Sequence, residues 1–271
     1  MKKLFFSILA AAAILSGCNK SVEGPGKLSI KITDDPFNIS YVESATVTIT
    51  KVEIRKAGDN SANLFIVISE DSVTLDLFKL RNGITMELIN MDIPHGNYDQ
   101  IRLYVARASL KIKDQPLAYN VKVPSGSQTG IKIFISPYLN VEGGLSSELL
   151  LDFDLSKSFV MRGNMNHSAG VNGFIFKPCI RATNNSNAGR IEGLVNDISK
   201  VNIADAKVWV KQDTIISTAF TDAYGNYAFL GVPSGTYSIF ATKENYDTVS
   251  YTGIKVIAGN RTIQDFTLTK K

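Results

Sequence analysis

Apolar and polar residues alternate along most of this chain, so the dominant period of the sequence is two. In KLSIKIT, for example, Leu28, Ile30 and Ile32 fall on one face. The same alternation recurs in four further sets: Val73, Leu75 and Leu77; Leu117, Tyr119, Val121 and Val123; Ile131, Ile133 and Ile135; and Leu149, Leu151, Phe153 and Leu155. Alternation of this kind is typical of strands with one buried face. We therefore predict an all-β fold.

One segment breaks the alternation in an informative way. In TVTITKVEI the apolar positions shift from Val47 and Ile49 to Val52 and Ile54. One inserted residue produces such a shift, because successive side chains of a strand point to opposite faces. We predict a β-bulge near Thr50 or Lys51.

Turn motifs such as NG and GG separate the predicted strands at short intervals. Many short strands with regular turns favour a sandwich or a barrel. The small, polar stretch NNSNAG is typical of a linker. We predict two Greek-key β-sandwich domains in tandem, the first at 27–182 and the second at 190–271, joined by a linker at 183–189.

The beginning of the chain has the pattern of an export signal. Two lysines precede an almost wholly apolar run from Leu4 to Leu15, which is shorter than the ~20 residues that a transmembrane helix needs. The run ends in LSGC, which resembles the lipobox of bacterial lipoproteins. That resemblance implies cleavage before Cys18 and acylation of Cys18 itself. It makes 1–17 a lipoprotein signal peptide and 18–26 a tether.

Acylation of Cys18 makes a membrane the first expected partner of the chain. Each buried methylene contributes about 0.8 kcal/mol, so three acyl chains on one residue make release negligible. Asn19 stands where the resemblance places aspartate in lipoproteins that stay in the inner membrane. We therefore predict a lipid anchor in the outer membrane or at the cell surface. Cys179 then has no partner within the chain, and we expect it to be a small buried apolar residue.

The last part of the chain, from residue 189, resembles the carboxypeptidase regulatory-like, or transthyretin-like, domain. The matching positions are Thr221, Asp222, Gly225, Tyr227, Phe229, Pro233, Gly235, Tyr237, Asn245 and Tyr246. We expect Asp222 to bond to its own turn, and Gly225 and Asn245 to adopt positive φ. Tyr227 and Phe229 should share a face, and the Tyr237 hydroxyl should anchor a corner. In the carboxypeptidases this module carries no catalytic group.

Most of residues 26–182 resemble a bacterial lipoprotein family catalogued as domain of unknown function 4382. The matching segments are GKLSIKITDDP, IPHGNYDQIRLYV, VPSGSQTGIKI, LLLDFDLSKS and FKPCIRA. The resemblance implies an anchored, extracytoplasmic protein and brings no established activity. Both domains contain P-x-G-x-Y ahead of an alternating strand, at 94–98 and 233–237, so we expect a similar corner in each.

Charge and motifs exclude several classes of function. The net charge is +4 and the basic residues are dispersed, whereas nucleic-acid binding needs clustered lysine and arginine. The sequence contains no HExxH, CxxC or GxSxG motif and no phosphate-binding glycine loop. We therefore predict a protein that is not an enzyme, binds no nucleic acid and needs no cofactor.

Two groups of side chains are candidates for ligand binding. Asp152 and Asp154 fall on one face of a predicted strand and together could hold a cation such as Ca²⁺. The alternative for this pair is a solvated strand face or a turn in which the side chains have hydrogen-bond partners. Trp209, Tyr224 and Tyr251 are candidates to stack on sugar rings, since most other aromatic side chains of the second domain are needed for its core.

These observations favour a non-enzymatic cell-envelope lipoprotein that displays β-sandwich modules for binding or as spacers. Two alternatives stay open. The first is a carbohydrate-binding lipoprotein for polysaccharide capture, and the second is an adhesin or fimbria-like assembly subunit that pairs by strand addition. The expected partner is accordingly a glycan or another envelope protein.

Overall fold

The structure, a computed structural model, describes residues 24–35, 41–58, 65–123, 128–163 and 171–271. Within these ranges the chain forms twenty strands, one single-turn α-helix and two 3-10 turns. The strands are β1 (Gly26–Asp35), β2 (Val42–Lys56), β3 (Phe65–Ser69), β4 (Val73–Asp76), β5 (Met86–Ile93), β6 (Gly96–Ile112), β7 (Tyr119–Val121), β8 (Ile131–Val141), β9 (Ser146–Asp154), β10 (Phe159–Gly163), β11 (Val171–Phe176), β12 (Ile180–Asn184), β13 (Ala188–Asp197), β14 (Lys207–Lys211), β15 (Ile215–Phe220), β16 (Asn226–Pro233), β17 (Gly235–Thr242), β18 (Val249–Val256), β19 (Arg261–Ile263) and β20 (Phe266–Leu268). The helix α1 covers Leu155–Ser158, and the 3-10 turns cover Leu77–Lys79 and Asn185–Asn187.

One hydrogen-bonded path of strands builds the first domain. Its order is β3-β2-β6-β8-β12-β9-β1-β5, with β4 beside β2 and β7 beside β6. Most neighbours are antiparallel, whereas β9 lies parallel to β1 and β12 parallel to β8. The inward side chains of β1, β2, β6, β8 and β9 meet in a single hydrophobic core. The hairpin β10-β11 adds Phe159 and Phe176 to that core.

The second domain consists of two four-stranded sheets over a separate core. One sheet has the order β16-β13-β19 with β20 beside β13, and the other has the order β15-β14-β17-β18. The fully buried side chains of Ile191, Val208, Ile239 and Phe266 lie between them. The prediction of an all-β fold with two β domains in tandem is confirmed.

The bulge predicted in β2 is confirmed by the pairing of β2 with β6. Ile49 lies opposite Val105 and Lys51 lies opposite Tyr104, so the register skips Thr50. The Thr50 hydroxyl donates to the Tyr104 carbonyl at 3.2 Å, which fixes the extra residue in place. The shift of the apolar positions in the sequence therefore corresponds to a β-bulge in β2.

Each domain has a tyrosine-anchored corner at its P-x-G-x-Y motif, as expected. The Tyr98 hydroxyl donates to the Pro94 carbonyl at 2.6 Å, and the Tyr237 hydroxyl donates to the Pro233 carbonyl at 2.7 Å. Both rings are buried. Each hydroxyl ties the start of a strand, β6 or β17, to the end of the strand before it.

The turn chemistry expected of the second domain is also confirmed. Oδ1 of Asp222 accepts hydrogen bonds from the N–H groups of Tyr224 at 2.9 Å and Asn226 at 2.8 Å. Gly225 has a φ of 78° and Asn245 a φ of 64°. These left-handed conformations suit glycine and asparagine better than most residues.

Two expectations about burial are wrong. Leu117 is 78% exposed, because β7 begins only at Tyr119 and Leu117 precedes the alternating part of the strand. Cys179 is exposed rather than buried. Its backbone N–H donates to Oγ of Ser158 at 2.9 Å, so the main chain is held there while the thiol faces solvent.

The connection between the domains is short. β12 ends at Asn184, the 3-10 turn follows directly, and β13 begins at Ala188. The exact domain boundaries given above stay predictions. Among the residues described, none of the helical segments has the length and apolar character needed to span a membrane.

Candidate functional site

The residues singled out from the sequence do not form one site. Cys18, with the whole of 1–17 and most of the tether, lies outside the described residues. The two carboxylates and the three aromatic side chains lie in different domains.

Asp152 and Asp154 have structural partners in the first domain. Asp152 is buried, and Nη2 of Arg181 donates to its Oδ2 at 2.7 Å. Asp152 therefore does not lie on a solvated strand face, because β9 is covered on both sides. Asp154 caps α1: its Oδ1 accepts from the Lys157 N–H at 3.0 Å, and its Oδ2 lies 2.6 Å from Nζ of Lys157.

The electrostatics of Asp154 follow from that cap. Burial acts to raise the pKa of Asp154, but hydrogen bonds from Lys157 and Ser156 outweigh it and hold the pKa below its usual value. Within the described ranges, no group of three or more His, Cys, Asp or Glu side chains is placed to hold a metal ion. The cation site at Asp152 and Asp154 stays a prediction.

The three aromatic candidates lie apart in the second domain. The Trp209 ring stacks on Phe240 with 5.1 Å between centroids and 5° between planes. Tyr251 pairs with the inward Ile239, and its ring lies 5.3 Å from the buried Phe266. It therefore lies on the face opposite to Trp209. Tyr224 is 73% exposed in the turn between β15 and β16, so the three rings make no common platform.

Two glycines lie where the domains approach each other closely. Gly231 in β16 has a φ of 62°, and a Cβ at this position would lie 3.0 Å from Cδ2 of Leu150 in β9. Gly83 has a φ of 80°, and its Cβ would lie 3.1 Å from that of Ala228 in β16. Because both positions require a left-handed backbone and leave little space, glycine suits them on two counts.

Charged groups of the first domain also reach this junction. The Arg81 guanidinium lies over the Phe78 ring, 3.7 Å from its centroid, and Nε donates to the Phe78 carbonyl at 2.8 Å. Burial lowers the pKa of Arg81, and the carboxylates of Asp34, Asp205 and Asp76 oppose that change. Asp205 belongs to the second domain, so Arg81 connects the two domains electrostatically.

A cleft of about 350 Å³ lies at the junction and takes its walls from both domains. Its charged lining consists of Lys31, Glu148, Arg190 and Arg261. Its neutral lining includes Thr85, Asn260, Leu150 and Leu230. Clefts between domains are common positions for ligand sites.

Two sets of ion pairs order the charged side chains around the cleft. Nζ of Lys31 lies 2.5 Å from Oε2 of Glu148. On the opposite wall, Glu192 attracts two guanidinium groups, with Nη1 of Arg261 at 2.9 Å and Nε of Arg190 at 3.6 Å. The Arg190 distance exceeds a hydrogen bond. With Glu192 counted, three cations stand against two carboxylates, so the cleft has a surplus of one positive charge and favours an anion.

The cleft was not predicted from the sequence, although a run of three leucines next to it indicated a strand with two buried faces. The alternation assigned Leu149 and Leu151 to the core and left Leu150 between them without a partner. In the structure Leu150 is 1% exposed and contacts the second domain at Gly231. Three consecutive leucines are typical of a strand that is buried on both faces.

A second polar cluster, also missed, lies on the outer face of β2 and β6. Oε2 of Glu53 accepts from the Tyr104 hydroxyl at 2.9 Å, and Oε1 lies 2.8 Å from Nζ of Lys51. The Arg102 guanidinium lies 3.6 Å from the centroid of the Phe65 ring. Burial acts to raise the pKa of Glu53, but the contacts with Lys51, Tyr104 and Arg102 hold it below its usual value.

Comparison with known families identifies both domains. The profile of the family "Domain of unknown function (DUF4382)" matches residues 25–178, which is more than half of the chain. The chain belongs to the DUF4382 family. The profile described as "Carboxypeptidase regulatory-like domain" matches residues 190–269. The two resemblances stated from the sequence motifs are therefore confirmed.

Solved structures resemble this DUF4382 protein only distantly. The Bacillus anthracis TIE protein is 14% identical over 91% of this chain, with a TM-score of 0.26, and the chain spans 34% of that protein. The shaft pilin SpaA of Lactobacillus rhamnosus GG is 9% identical over 91% of this chain and 98% of its own, with a TM-score of 0.25. The minor pilin GBS52 of Streptococcus agalactiae is 8% identical over 90% of this chain and 96% of its own, also at 0.25. Likenesses at this level carry no argument about function. A search of curated proteins finds no match.

Proposed function

We propose that this protein is a lipid-anchored, non-enzymatic component of the bacterial envelope that displays its two β domains as one docked unit. The LSGC motif supports the anchor, and the close packing at Gly231 and Gly83 supports a joint display of both domains. Binding or spacing is then a property of the pair of domains.

The main support for this proposal is the position of the two ends of β1. The predicted tether joins one end, and the other end faces the second domain. Gly26 pairs with Ile93, next to the corner of the first domain. Lys31 and Thr33, further along β1, face the junction with the second domain. At about 3.3 Å per residue, Gly26 and Thr33 lie about 23 Å apart. We infer that a tether entering β1 at Gly26 from the membrane side leaves the second domain on the side of the first domain away from the membrane.

The contacts of the acidic side chains support a role without catalysis. Asp152 is paired with Arg181, and Asp154 caps α1, so both serve the fold. His95 lies exposed in the turn between β5 and β6. The second domain belongs to a kind of module that is an accessory in the carboxypeptidases.

Metabolic labelling with palmitate tests the anchor. We expect the native protein to take up label and to sediment with membranes, and a Cys18→Ser variant to do neither. Cys179→Ser is the matched control, since it removes the other cysteine and should leave labelling unchanged. A native protein without label, or a labelled Cys18→Ser variant, would contradict the proposal.

A further inference from the structure

We propose that the cleft between the two domains binds a carboxylated sugar, such as a uronic acid residue of an acidic glycan. The inference names a ligand class for the display unit and so rests on the binding role proposed above. It is independent of the predicted aromatic candidates, none of which lines the cleft.

The volume and position of the cleft suit a small ligand or the end of an oligomer. Ligand pockets usually measure about 300–1,000 Å³, and this cleft, at about 350 Å³, lies at the small end of that range. One or two sugar rings are therefore a better match than a long buried chain.

The charges of the cleft favour a carboxylate. The side chains of Arg190 and Arg261 are 49% and 51% exposed, and both converge on the single carboxylate of Glu192. A guanidinium group has five donors in a planar fork, so one carboxylate leaves donors of the two arginines available to a ligand. Arginine binds a carboxylate through two parallel hydrogen bonds, which fixes orientation as well as charge.

The remaining lining suits the rest of a sugar ring. Thr85 and Asn260 offer a hydroxyl and an amide for hydroxyl groups of the ligand. The half-buried Leu230 gives a small apolar surface for the C–H face of a ring. A simple inorganic anion would use the arginines alone and leave these groups without a role.

Calorimetric titration of the whole protein, purified in a non-ionic detergent, tests the inference. The probes are trigalacturonate, the neutral maltotriose, acetate and inorganic phosphate. We expect saturable binding of trigalacturonate and at least about tenfold weaker binding of each other probe, since about 1.4 kcal/mol corresponds to a factor of ten. Arg190→Gln and Arg261→Gln should each weaken trigalacturonate binding by about tenfold or more.

Arg107→Gln is the matched control, because it removes the same charge from an exposed position on β6, which does not line the cleft. The melting curve of Trp209, the only tryptophan, checks that the second domain is folded, and far-ultraviolet circular dichroism checks both domains of each variant. An equal loss of affinity in Arg107→Gln would show general charge attraction and overturn the inference. So would phosphate or acetate binding as tight as trigalacturonate, or no saturable binding of trigalacturonate.

The outcome is separable from that of the labelling experiment. Binding in the cleft requires folded, docked domains and does not require acylation. A Cys18→Ser variant should therefore bind trigalacturonate as the native protein does. Failure of binding with normal palmitate labelling would remove the ligand and leave the envelope role intact.

Discussion

The two tyrosine corners make the same hydrogen bond in different surroundings. Tyr98 is 0% exposed, and its corner lies near Gly26 at the start of β1. Tyr237 is 4% exposed, and its corner follows Gly231, which packs on the first domain. Burial raises the pKa of both hydroxyls, and for Tyr237 the positive charge of Arg181, a residue of the first domain, opposes this change.

In this protein a shared motif produces a shared local structure and not a shared role. P-x-G-x-Y produces a corner in both domains, because the hydroxyl reaches the carbonyl four residues earlier. The surroundings then decide what the corner serves. The first corner stabilises the interior of one domain, whereas the second also positions β16 and β17 against a neighbour.

Truncation of the two rings should have the largest effect. Tyr98→Ala and Tyr237→Ala each remove a buried aromatic side chain, and we expect a loss of about 3–5 kcal/mol in each case. Denaturant unfolding measures the loss. Trp209 fluorescence reports the second domain, and far-ultraviolet circular dichroism reports both.

The surroundings predict an asymmetry between these variants. Tyr237→Ala should lower the Trp209 transition more than Tyr98→Ala does, since Trp209 lies in the domain of Tyr237. Equal shifts of the Trp209 transition in both variants would show that the domains unfold as one unit and would remove the distinction between the corners.

Gly231→Ala should have the next largest effect and should act on docking. The added Cβ meets Leu150 at 3.0 Å and forces a left-handed alanine, at a cost of about 2 kcal/mol. Gly253→Ala is the matched control: its φ of 73° gives the same backbone strain, with nothing within 4 Å. Small-angle scattering should show a larger radius of gyration for Gly231→Ala alone. Equal radii for the two variants would contradict the role of Gly231 in docking.

Removal of the hydroxyl groups should have a smaller effect. Tyr98→Phe and Tyr237→Phe keep the ring and lose one hydrogen bond to a carbonyl, so we expect about 1–2 kcal/mol for each. The loss should be similar in the two domains, because the donor distances are 2.6 Å and 2.7 Å. Denaturant unfolding measures the loss of stability. A loss for only one of the two variants would show that the two tyrosine hydrogen bonds do not stabilise their domains equally.

Glu53→Gln should have the smallest effect and a specific pH dependence. The native pKa of Glu53 is lowered, so its contribution is complete above the unfolded value of about 4.3 and is lost as the pH falls through the native pKa. We expect a loss of about 1 kcal/mol at pH 7 that shrinks below about pH 4. Thermal melts from pH 3 to 7 measure it.

The control for this change is Glu43→Gln. Glu43 forms an exposed ion pair with Lys111, and such pairs contribute little. A loss at pH 7 as large for Glu43→Gln as for Glu53→Gln would show that burial of Glu53 among Lys51, Tyr104 and Arg102 adds nothing.

Local chemistry made most of the fold predictable. The alternation of Leu28, Ile30 and Ile32, the phase shift at Thr50 and the φ of Asn245 are decided by neighbours in the sequence or by one strand face. The prediction that Leu117 is buried was wrong, because alternation alone does not show where a strand begins. The prediction that Cys179 is buried was wrong, because the lack of a disulfide partner does not determine whether a cysteine lies inside the fold.

The candidate site could not be predicted, because it depends on contacts between distant segments. Asp152 meets Arg181 across β9 and β12, and Leu150 meets Gly231 in the other domain. The cleft brings Lys31 of β1 together with Arg190 and Arg261. The run of three leucines indicates that β9 is buried on both faces, but no local pattern specifies which segment covers the second face.

Burial of β9 on both faces also limits how this architecture can be recombined. Leu149 and Leu151 pack in the core of the first domain, while Leu150 is covered by the second domain. A gene fusion that replaced the second domain with an unrelated one would expose the apolar surface of Leu150 on the first domain. The two domains are therefore not structurally independent. A replacement for the second domain must supply its own complementary surface for Leu150.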